Sequence, residues 1–419
     1  MTRLRLFMAM TVFLSLLTSP SVWADNLEGC RVQSSQNQVV SLGFPVRKER
    51  LSYISKPRIL VIPFKLKDNP SYIFSESIKA DYLTAAKNIL EFSNGKASIE
   101  FVFAPTVSSD LTNADMEQLK INQQQQWQKD ESKSTWGFVR KFIADNDPTL
   151  NYSGIDAVII EGSSTSRFSD IAEAFMFWQN PQNPWFRSIQ TSEGTINNAV
   201  LLDNDSSQET ITHEIMHLFG LTDLYGSDTG PARLSLMASN DLNLLSYEKW
   251  VLGWLPDSDV TCVSNLSNSS IINFSFDYSK MDQLAVLRAP NEDAYVVETT
   301  KWGGNKVLIL YSLNNEGRPP ITMYHEKSYA RFVPTEISNF RAIGAELVSP
   351  KHTLLVTNIE ANRLSLSFAP NNFINTTEYK DLVTKASQVR AILEEQFQTK
   401  AAAELKAKQD AEERLAAEL

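Results

Sequence analysis

The sequence predicts a mixed α/β domain over 51–258, then a small all-β subdomain over 259–370, then a long C-terminal helix over 377–419. In the first part, short apolar runs alternate with amphipathic helical segments, which is the pattern of an α/β domain. The second part has short alternating runs separated by Asn, Ser, Gly and Pro, which indicates β-strands. The third part contains no Gly or Pro and keeps helical spacing.

The elements of the α/β part follow from apolar periodicity. Compact runs rich in Ile and Val predict strands, and apolar residues spaced three or four apart predict helices. The predicted strands cover 57–66, 97–104, 155–160 and 198–202, and the predicted helices cover 76–92, 114–129 and 134–144. Because strands alternate with helices, we expect one sheet of mixed strand direction.

A long irregular segment, residues 162–195, interrupts this alternation. It is rich in Ser, Asn, Pro and aromatic residues, the latter being Phe175, Phe177, Trp178, Trp185 and Phe186. Long loops of this kind are often functional, so the segment can form the upper wall of a cleft where an edge strand holds an extended peptide. Alternatively, its aromatic side chains are the core of a local insertion.

The all-β part is predicted from six short runs. They cover 271–276, 284–287, 294–299, 307–311, 353–356 and 364–368. His325 and His352 fall in the turns between these runs, and we expect surface histidines there rather than metal ligands.

The C-terminal segment has apolar residues at helical spacing, namely Leu382, Ala386, Val389, Leu393 and Phe397. The tetrapeptide AAEL occurs at 402–405 and again at 416–419, which is a separation of two heptads. This pattern predicts a long helix or a weak coiled coil. It is either a solvated stalk, an oligomerising helix through which the chain self-associates, or a plain charged helix.

The first 24 residues read as a secretory signal peptide. Arg3 and Arg5 precede an apolar stretch, 6–17, and Ala24 ends a small-residue cleavage site. The stretch is too short to span a bilayer comfortably, although a retained short anchor is the alternative. We therefore expect an exported protein, secreted or periplasmic, with no stable membrane insertion after cleavage. Residues 25–50 are polar with few periodic features and are expected to form an extended lead-in. The net charge of −10 argues against nucleic acid and anionic membranes as partners.

The chain has two cysteines, Cys30 and Cys262. In an exported protein they predict one disulfide, whose long loop would contribute about 4–5 kcal/mol in the chain-entropy model. The alternative is that the Cys30 thiolate binds a metal ion and keeps the protein latent until the N-terminal segment is cut.

The most informative motif reads HEIMHLFGLTD, from His213 to Asp223. It follows a capping box, SSQE, so it should lie on a helix that begins near Ser207. On a helix, His213 and His217 project from one face and can bind a single zinc ion. Glu214 lies beside them and can act as the general base toward a water molecule.

The third protein ligand is predicted to be Asp223. Gly220 can end the helix with positive φ, which turns the chain so that Asp223 reaches the same ion. Three protein ligands with an open fourth position are typical of a catalytic zinc site. The alternative third ligand is Glu248, on a later predicted helix at 246–250.

The pair Asp203 and Asp205 can bind calcium, although turn capping is the commoner use.

Residues 212–255 resemble the catalytic core of the M6 family of secreted metalloproteases, the immune inhibitor A type, a metzincin-like family. The motifs that carry the resemblance are 213–226, a Met-turn-like SLMAS at 235–239, and a helix ending in Gly-Trp at 245–255. Weaker similarity lies at 57–64, 155–161 and 294–298, so about half the chain, roughly 56–311, is covered.

This resemblance implies a metzincin-like fold and a zinc metalloendopeptidase that hydrolyses peptide bonds of protein or peptide substrates. It implies that Met237 forms an apolar floor under the metal. Two features depart from the family. Only about thirty residues separate the signal peptide from the first strand, so latency through a large propeptide is not expected. Ser239 occupies the position where some metzincins have an oxyanion-stabilising Tyr, which leaves Tyr225 or Tyr247 for that role.

A different class of function is a non-catalytic binding or adhesion protein displayed on a helical stalk.

Overall fold

A six-stranded sheet organises the first half of the chain, and the mixed α/β prediction is confirmed. Its strands are β1 (Arg58–Lys65), β2 (Glu100–Phe103), β3 (Val107–Ser108), β4 (Ala157–Gly162), β5 (Ala172–Met176) and β8 (Asn198–Asp203), and a separate ribbon consists of β6 (Ile189–Gln190) and β7 (Thr195–Ile196). The strand order in the sheet is β2-β1-β4-β8-β5, with β3 beside β1; all neighbours are parallel except β5, which runs antiparallel to β8 at one edge.

The coordinates are a computed structural model. It describes residues 27–34, 39–126, 131–163, 172–177, 187–203, 206–225, 234–238, 243–277, 280, 282–288, 294–302, 305–313, 321–324, 335–336, 346–349, 351–360 and 363–418.

Helices cover both faces of this sheet. They are α1 (Glu76–Phe92), α2 (Asn113–Gln126), α3 (Thr135–Asn146) and α4 (Gln208–Phe219). Alternate residues of the central strands point to opposite faces, as the pleat requires. One set, including Ile59 and Ile159, packs under α1 and α4. The other set, including Leu60 and Ile160, packs against α3. Serine hydroxyls cap α1 and α3 at their first turns, so both helices begin where the sequence predicts.

The irregular segment contributes to the core where it is described. Phe175 and Phe177 are fully buried and meet the ring of Trp136 from α3 edge-on, with centroids 5.2 and 5.3 Å apart. These two aromatics are therefore core residues. The same segment supplies the edge strand β5, which carries Phe175, so the local-core interpretation is confirmed for these two residues and the cleft wall stays a prediction. Trp178, Trp185 and Phe186 lie outside the described residues.

The N-terminal segment is packed rather than an extended lead-in. Leu42 and Arg50 are buried, and the Arg50 guanidinium donates to Asn198 Oδ1 and to the Phe177 carbonyl oxygen at 2.8 Å each. Cys30 is joined to Cys262, so the disulfide prediction is confirmed and the Cys30 thiolate is not available as a metal ligand.

Two further sheets form the second half. Their strands are β9 (Val260–Val263), β10 (Ile272–Asp277), β11 (Leu284–Arg288), β12 (Ala294–Trp302), β13 (Asn305–Leu313), β14 (Ile321–Tyr324), β15 (Thr335–Glu336), β16 (Glu346–Val348), β17 (His352–Glu360) and β18 (Arg363–Pro370). One sheet has the order β10-β18-β17-β16; the other has the order β14-β13-β12-β11-β9, with β15 beside β13. Apolar side chains from both sheets share one core cluster. A short helix, α5 (Ser246–Val251), leads from the first half into these sheets.

One prediction about this half is wrong. His352 is the first residue of β17, only 2% exposed, and its ring stacks on Phe368 with centroids 4.7 Å apart. The aromatic neighbours, including Tyr295, explain why the residue is buried. His325 lies outside the described residues.

The chain ends in the helix α6 (Thr377–Glu418). Its first turns are docked, because Tyr379 and Ala386 pack with Leu355 and Ala369 of the sheet. Farther along, Ile392 and Leu405 are more than half exposed. The first turns are therefore not a free stalk, and for the later part the stalk, the oligomerising helix and the plain charged helix all stay predictions. Within the part of the chain that the structure describes, no helix is both long enough and apolar enough to cross a membrane.

Candidate metal centre

Helix α4 carries the HEIMH motif and has well-defined ends. Ser207 caps its start by accepting a hydrogen bond from the Thr210 N–H, so the helix begins near Ser207 as predicted. Gly220 ends it with φ +116°, and its N–H donates to the Met216 and His217 carbonyls. The predicted left-handed turn after the motif is therefore present.

Both imidazoles are held by backbone carbonyls. His213 Nδ1 lies 2.9 Å from the Leu236 oxygen, and His217 Nδ1 lies 2.8 Å from the Leu221 oxygen. A carbonyl oxygen only accepts, so each Nδ1 carries a hydrogen and each neutral ring presents its lone pair at Nε2. Each Nε2 faces Asp223, whose Oδ1 is 3.1 Å from His213 and 3.2 Å from His217.

This arrangement favours a positive charge among the three groups. Burial acts to lower the pKa of His217, but the carboxylates of Asp223 and Glu214 outweigh it and raise that pKa to about 9. Burial acts to raise the pKa of Asp223, and hydrogen bonds with the two imidazoles outweigh it and hold the pKa well below its usual range. A proton or a metal ion between the imidazoles and the carboxylate supplies the charge that the donor atoms need.

The spacing of these atoms fits a tetrahedral zinc ion. With zinc–nitrogen distances of about 2.0–2.1 Å, neighbouring ligand atoms of a tetrahedron lie about 3.3 Å apart. The two contacts to Asp223 Oδ1, at 3.1 and 3.2 Å, are close to that value. Glu214 is also near, since His213, Glu214 and His217 offer ligand atoms that all lie within 4.8 Å of one another. The histidine pair therefore has two carboxylates within reach.

Glu214 is buried beside the middle of the edge strand β5. Burial raises the pKa of its carboxyl group, the two imidazoles act against that rise, and the backbone N–H of Ala174 on β5 donates to the carboxylate. A carboxylate with a raised pKa is a stronger base than an exposed one, as proton transfer near neutral pH requires.

Glu248, the alternative third ligand, is engaged elsewhere. Ser235 Oγ lies 2.8 and 3.1 Å from its two carboxylate oxygens, and the Leu245 N–H donates to one of them at 2.7 Å. The side chain is fully buried, and burial raises its pKa to about 7. The structure brings Asp223, and not Glu248, against the two imidazoles.

Met237 lies in the turn that Ser235 begins. Its side chain is buried in the main core cluster, and its backbone N–H donates to Ser235 Oγ at 3.0 Å. Its carbonyl oxygen accepts the Leu224 N–H at 2.8 Å, which ties this turn to the segment that carries Asp223. Ser239 lies outside the described residues.

Of the two tyrosines proposed as helpers, only one contacts the site. Tyr225 is 60% exposed, and its ring stacks on His213 with centroids 6.1 Å apart. Burial and the Asp223 carboxylate, with which it makes a hydrogen bond, raise the pKa of its phenol. Tyr247 is fully buried, and its ring packs on Trp250 with centroids 5.7 Å apart.

The structure adds residues that the sequence reasoning missed. Glu173 on β5 accepts hydrogen bonds from Thr135 Oγ1 at 2.8 Å and from Gln123 Nε2 at 3.2 Å. Burial raises its pKa to about 7, and the nearby Glu214 carboxylate adds to the rise. Neither Glu173 nor the Leu236 carbonyl has a distinctive sequence pattern, because each depends on the fold for its position.

The calcium prediction is not strengthened. Asp203 Oδ1 accepts a hydrogen bond from Ser206 Oγ at 3.1 Å, which is the turn-capping use of an Asp. Asp205 lies outside the described residues.

Comparison with known proteins adds little information about the function of this chain. No family model matches the chain, and no curated protein matches it. Among solved structures, the chain is similar to metalloproteinase-II from Bacteroides fragilis, with 18% identity and a TM-score of 0.28. The match covers 52% of this chain, which spans 59% of the length of that protein. A TM-score this low supports no inference about activity, so the interpretation rests on the residues themselves.

Proposed function

We propose that this protein is an exported zinc-dependent endopeptidase of the M6, immune inhibitor A type, with Glu214 as general base. The observation that carries the proposal is the convergence of His213 Nε2 and His217 Nε2 on one oxygen of Asp223, beside a buried Glu214. Two imidazoles, a carboxylate and a neighbouring basic carboxylate are the components of a hydrolytic zinc site.

Asp223 is the proposed third ligand, for two reasons. Its Oδ1 is the atom within 3.2 Å of both imidazole nitrogens, whereas the Glu248 carboxylate is bonded to Ser235 and Leu245. Glu214 is left as the base because it follows His213 directly on the helix, and adjacent helical residues point about 100° apart.

The bound zinc ion would act as a Lewis acid that polarises the scissile carbonyl and increases the acidity of water. Glu214 takes the proton from the attacking water and passes it to the leaving amine. The Leu236 and Leu221 carbonyls hold the two imidazoles in the tautomer whose Nε2 faces the centre.

Tyr225 is placed to assist the same reaction. Its phenol interacts with Asp223, and the residue is largely exposed on the open side of the site. A small rotation would let its O–H donate to the carbonyl oxygen of a substrate as negative charge develops there.

The substrate is proposed to be an extended segment of a protein or peptide. Strand β5 pairs with β8 on one side and forms the edge of the sheet on the other. Exposed strand edges bind peptides by main-chain hydrogen bonds, and β5 is adjacent to Glu214 through Ala174.

Export is proposed from the N-terminal 24 residues, which read as a signal peptide. The disulfide between Cys30 and Cys262 supports this, since disulfides persist in oxidising compartments. Secretion and a periplasmic location are both compatible with these features.

The test is metal analysis and peptide cleavage, mapped by mass spectrometry, on the wild type and three variants. We expect one zinc ion per chain and cleavage that a chelator abolishes. Glu214→Ala should keep zinc and lose about 10³-fold in kcat, whereas Asp223→Ala should lose both zinc and activity. Glu193→Ala, an exposed acid away from the site, is the control.

Full zinc occupancy in Asp223→Ala would refute the ligand assignment. A zinc-loaded wild type that cleaves no peptide would refute the enzymatic proposal and favour the non-catalytic binding protein. A wild type without stoichiometric zinc would refute both.

A further inference from the structure

Beneath the metal site, a chain of buried hydrogen bonds runs from Glu248 to His213. Ser235 Oγ lies 2.8 Å from a Glu248 carboxylate oxygen and accepts the Met237 N–H at 3.0 Å. Leu236 lies between Ser235 and Met237, and its carbonyl oxygen accepts the His213 Nδ1–H at 2.9 Å. Every link in this chain is buried, so water cannot replace one that is lost.

The direction of the Leu236 carbonyl depends on the hydrogen bonds of its own peptide and of the residues beside it. The Leu236 N–H donates to the Asn243 carbonyl at 2.6 Å, and the flanking residues are fixed by the Ser235 hydroxyl. Backbone bonds also hold the turn, because the Ala238 N–H donates to the Ser235 carbonyl at 3.0 Å and the Leu224 N–H donates to the Met237 carbonyl at 2.8 Å, but neither bond is made to the Leu236 carbonyl. The side-chain support inside the turn is the Ser235 hydroxyl, which Glu248 holds in place.

Glu248 has a second role in its own helix. The Leu245 N–H, at the start of the helix, donates to the Glu248 carboxylate at 2.7 Å, which is one of the two bonds of a capping box; Leu245 has no side-chain acceptor for the other. Helix α5 has only six residues, too few to be stable without such contacts. Its start is held from the next sheet by Glu298, which accepts the Ser246 and Tyr247 N–H groups at 2.9 and 3.0 Å.

We propose that Glu248 is a positioning residue for the metal centre: through Ser235 it fixes the Leu236 carbonyl and thereby the orientation of the His213 imidazole. This inference rests on the proposed zinc site. The sequence offers Glu248 as a metal ligand. In this proposal it holds a residue that orients a ligand and does not bind the ion itself. Such outer partners set the direction and basicity of a ligating imidazole.

The role needs an acceptor oxygen and not a charge. In Glu248→Gln, the amide oxygen can still accept from the Leu245 N–H and the Ser235 O–H. We expect zinc affinity within about threefold of wild type for this variant. Glu248→Ala and Ser235→Ala break the link, and we expect each to weaken zinc binding about 10–100-fold.

The experiment is competition of the purified protein with a chelator of known zinc affinity, followed by kcat and KM on a peptide substrate. Urea unfolding of the same samples gives the stability loss. Ser246→Ala is the matched control, because it removes a buried hydrogen bond of the same helix, from Ser246 Oγ to the Thr299 carbonyl, and leaves the chain to His213 intact. It should keep zinc affinity within about twofold and lose about 1 kcal/mol of stability.

Three results would overturn the inference. Unchanged zinc affinity in Ser235→Ala shows that the link does not orient the ligand. Loss of zinc in Glu248→Gln as large as in Glu248→Ala shows that the carboxylate itself is required, as for a ligand. Equal zinc loss in Ser246→Ala shows a general effect of stability. If Glu248→Ala does not fold, the smaller Ser235→Ala change decides. A wild type without zinc contradicts the proposed function instead, and is seen before any variant is made.

Discussion

The turn after the motif helix offers a sharp test, because Gly220 is constrained in two independent ways. Its φ of +116° lies in the region that side chains with a Cβ rarely adopt. An added Cβ would also lie 2.5 Å from Val46 Cγ1 and 3.4 Å from Arg50 Cγ, both in the packed N-terminal segment. Gly220→Ala therefore meets backbone strain and a steric overlap together.

The expected magnitude is the sum of these two terms. A non-glycine residue at positive φ costs about 1–2 kcal/mol, and forcing an extra methyl group into a packed core costs about 1–3 kcal/mol. We expect Gly220→Ala to lose about 2–5 kcal/mol in the free energy of unfolding. Gly95, with φ +80° and nothing within 4 Å of an added Cβ, is the matched control, and Gly95→Ala should lose about 1–2 kcal/mol.

The assay is urea unfolding with linear extrapolation, together with zinc content. Because the overlap is with Val46, adding Val46→Ala to Gly220→Ala should recover stability relative to the sum of the two single changes. Zinc content should fall in Gly220→Ala, since the turn leads to Asp223. Equal losses in Gly220→Ala and Gly95→Ala, or strict additivity with Val46→Ala, would show that the N-terminal segment does not press on this turn.

Three further changes test other parts of the structure. Burial raises the pKa of Glu161 from 4.5 to about 7. Between these pH values the unfolded chain has released this proton and the folded chain still holds it, so the free energy of unfolding falls as pH rises. In urea unfolding, Glu161→Gln should be more stable than wild type by about 3 kcal/mol near pH 8 and by much less near pH 5, and a difference independent of pH would contradict this. Tyr225→Phe should lower kcat by about 100-fold with zinc content unchanged, if the phenol stabilises the oxyanion; an unchanged kcat would leave it no such role. Replacing Cys30 and Cys262 together by Ser should lower the free energy of unfolding by up to about 5 kcal/mol, since the disulfide closes a sequence separation of 232 residues; an unchanged urea midpoint would contradict that.

Local patterns predicted the elements of the fold well. The strand β1, the helix α1 and the strands β17 and β18 all lie within a few residues of the predicted runs, because each is set by apolar spacing within one segment. The left-handed end of the motif helix was predicted for the same reason, since a single glycine determines it.

Predictions that depended on distant contacts were less reliable. His352 looked like a surface residue because its neighbours in sequence are polar, yet Phe368 and Tyr295 bury it. The polar residues 25–50 gave no indication that Arg50 would be buried against Asn198, 148 residues farther along the chain. Burial of a polar side chain depends on partners that lie far away in sequence, and a single sequence does not reveal them.

The metal centre shows most clearly that a single sequence does not reveal distant contacts. The motif places His213 and His217 on one face of the helix, but any carboxylate that the fold brings near that face can be the third ligand. Asp223 and Glu248 were both reasonable ligands from sequence, and only the contacts separate them: one lies against the imidazoles, and the other holds Ser235. A residue that binds the metal and a residue that holds a ligand in place can be of the same type, because both present an acceptor oxygen in a fixed direction. The difference between them is which atom the oxygen faces, so the zinc affinities of Asp223→Asn and Glu248→Gln should differ: the amide restores the acceptor that Ser235 needs but not the negative charge that a zinc ligand provides.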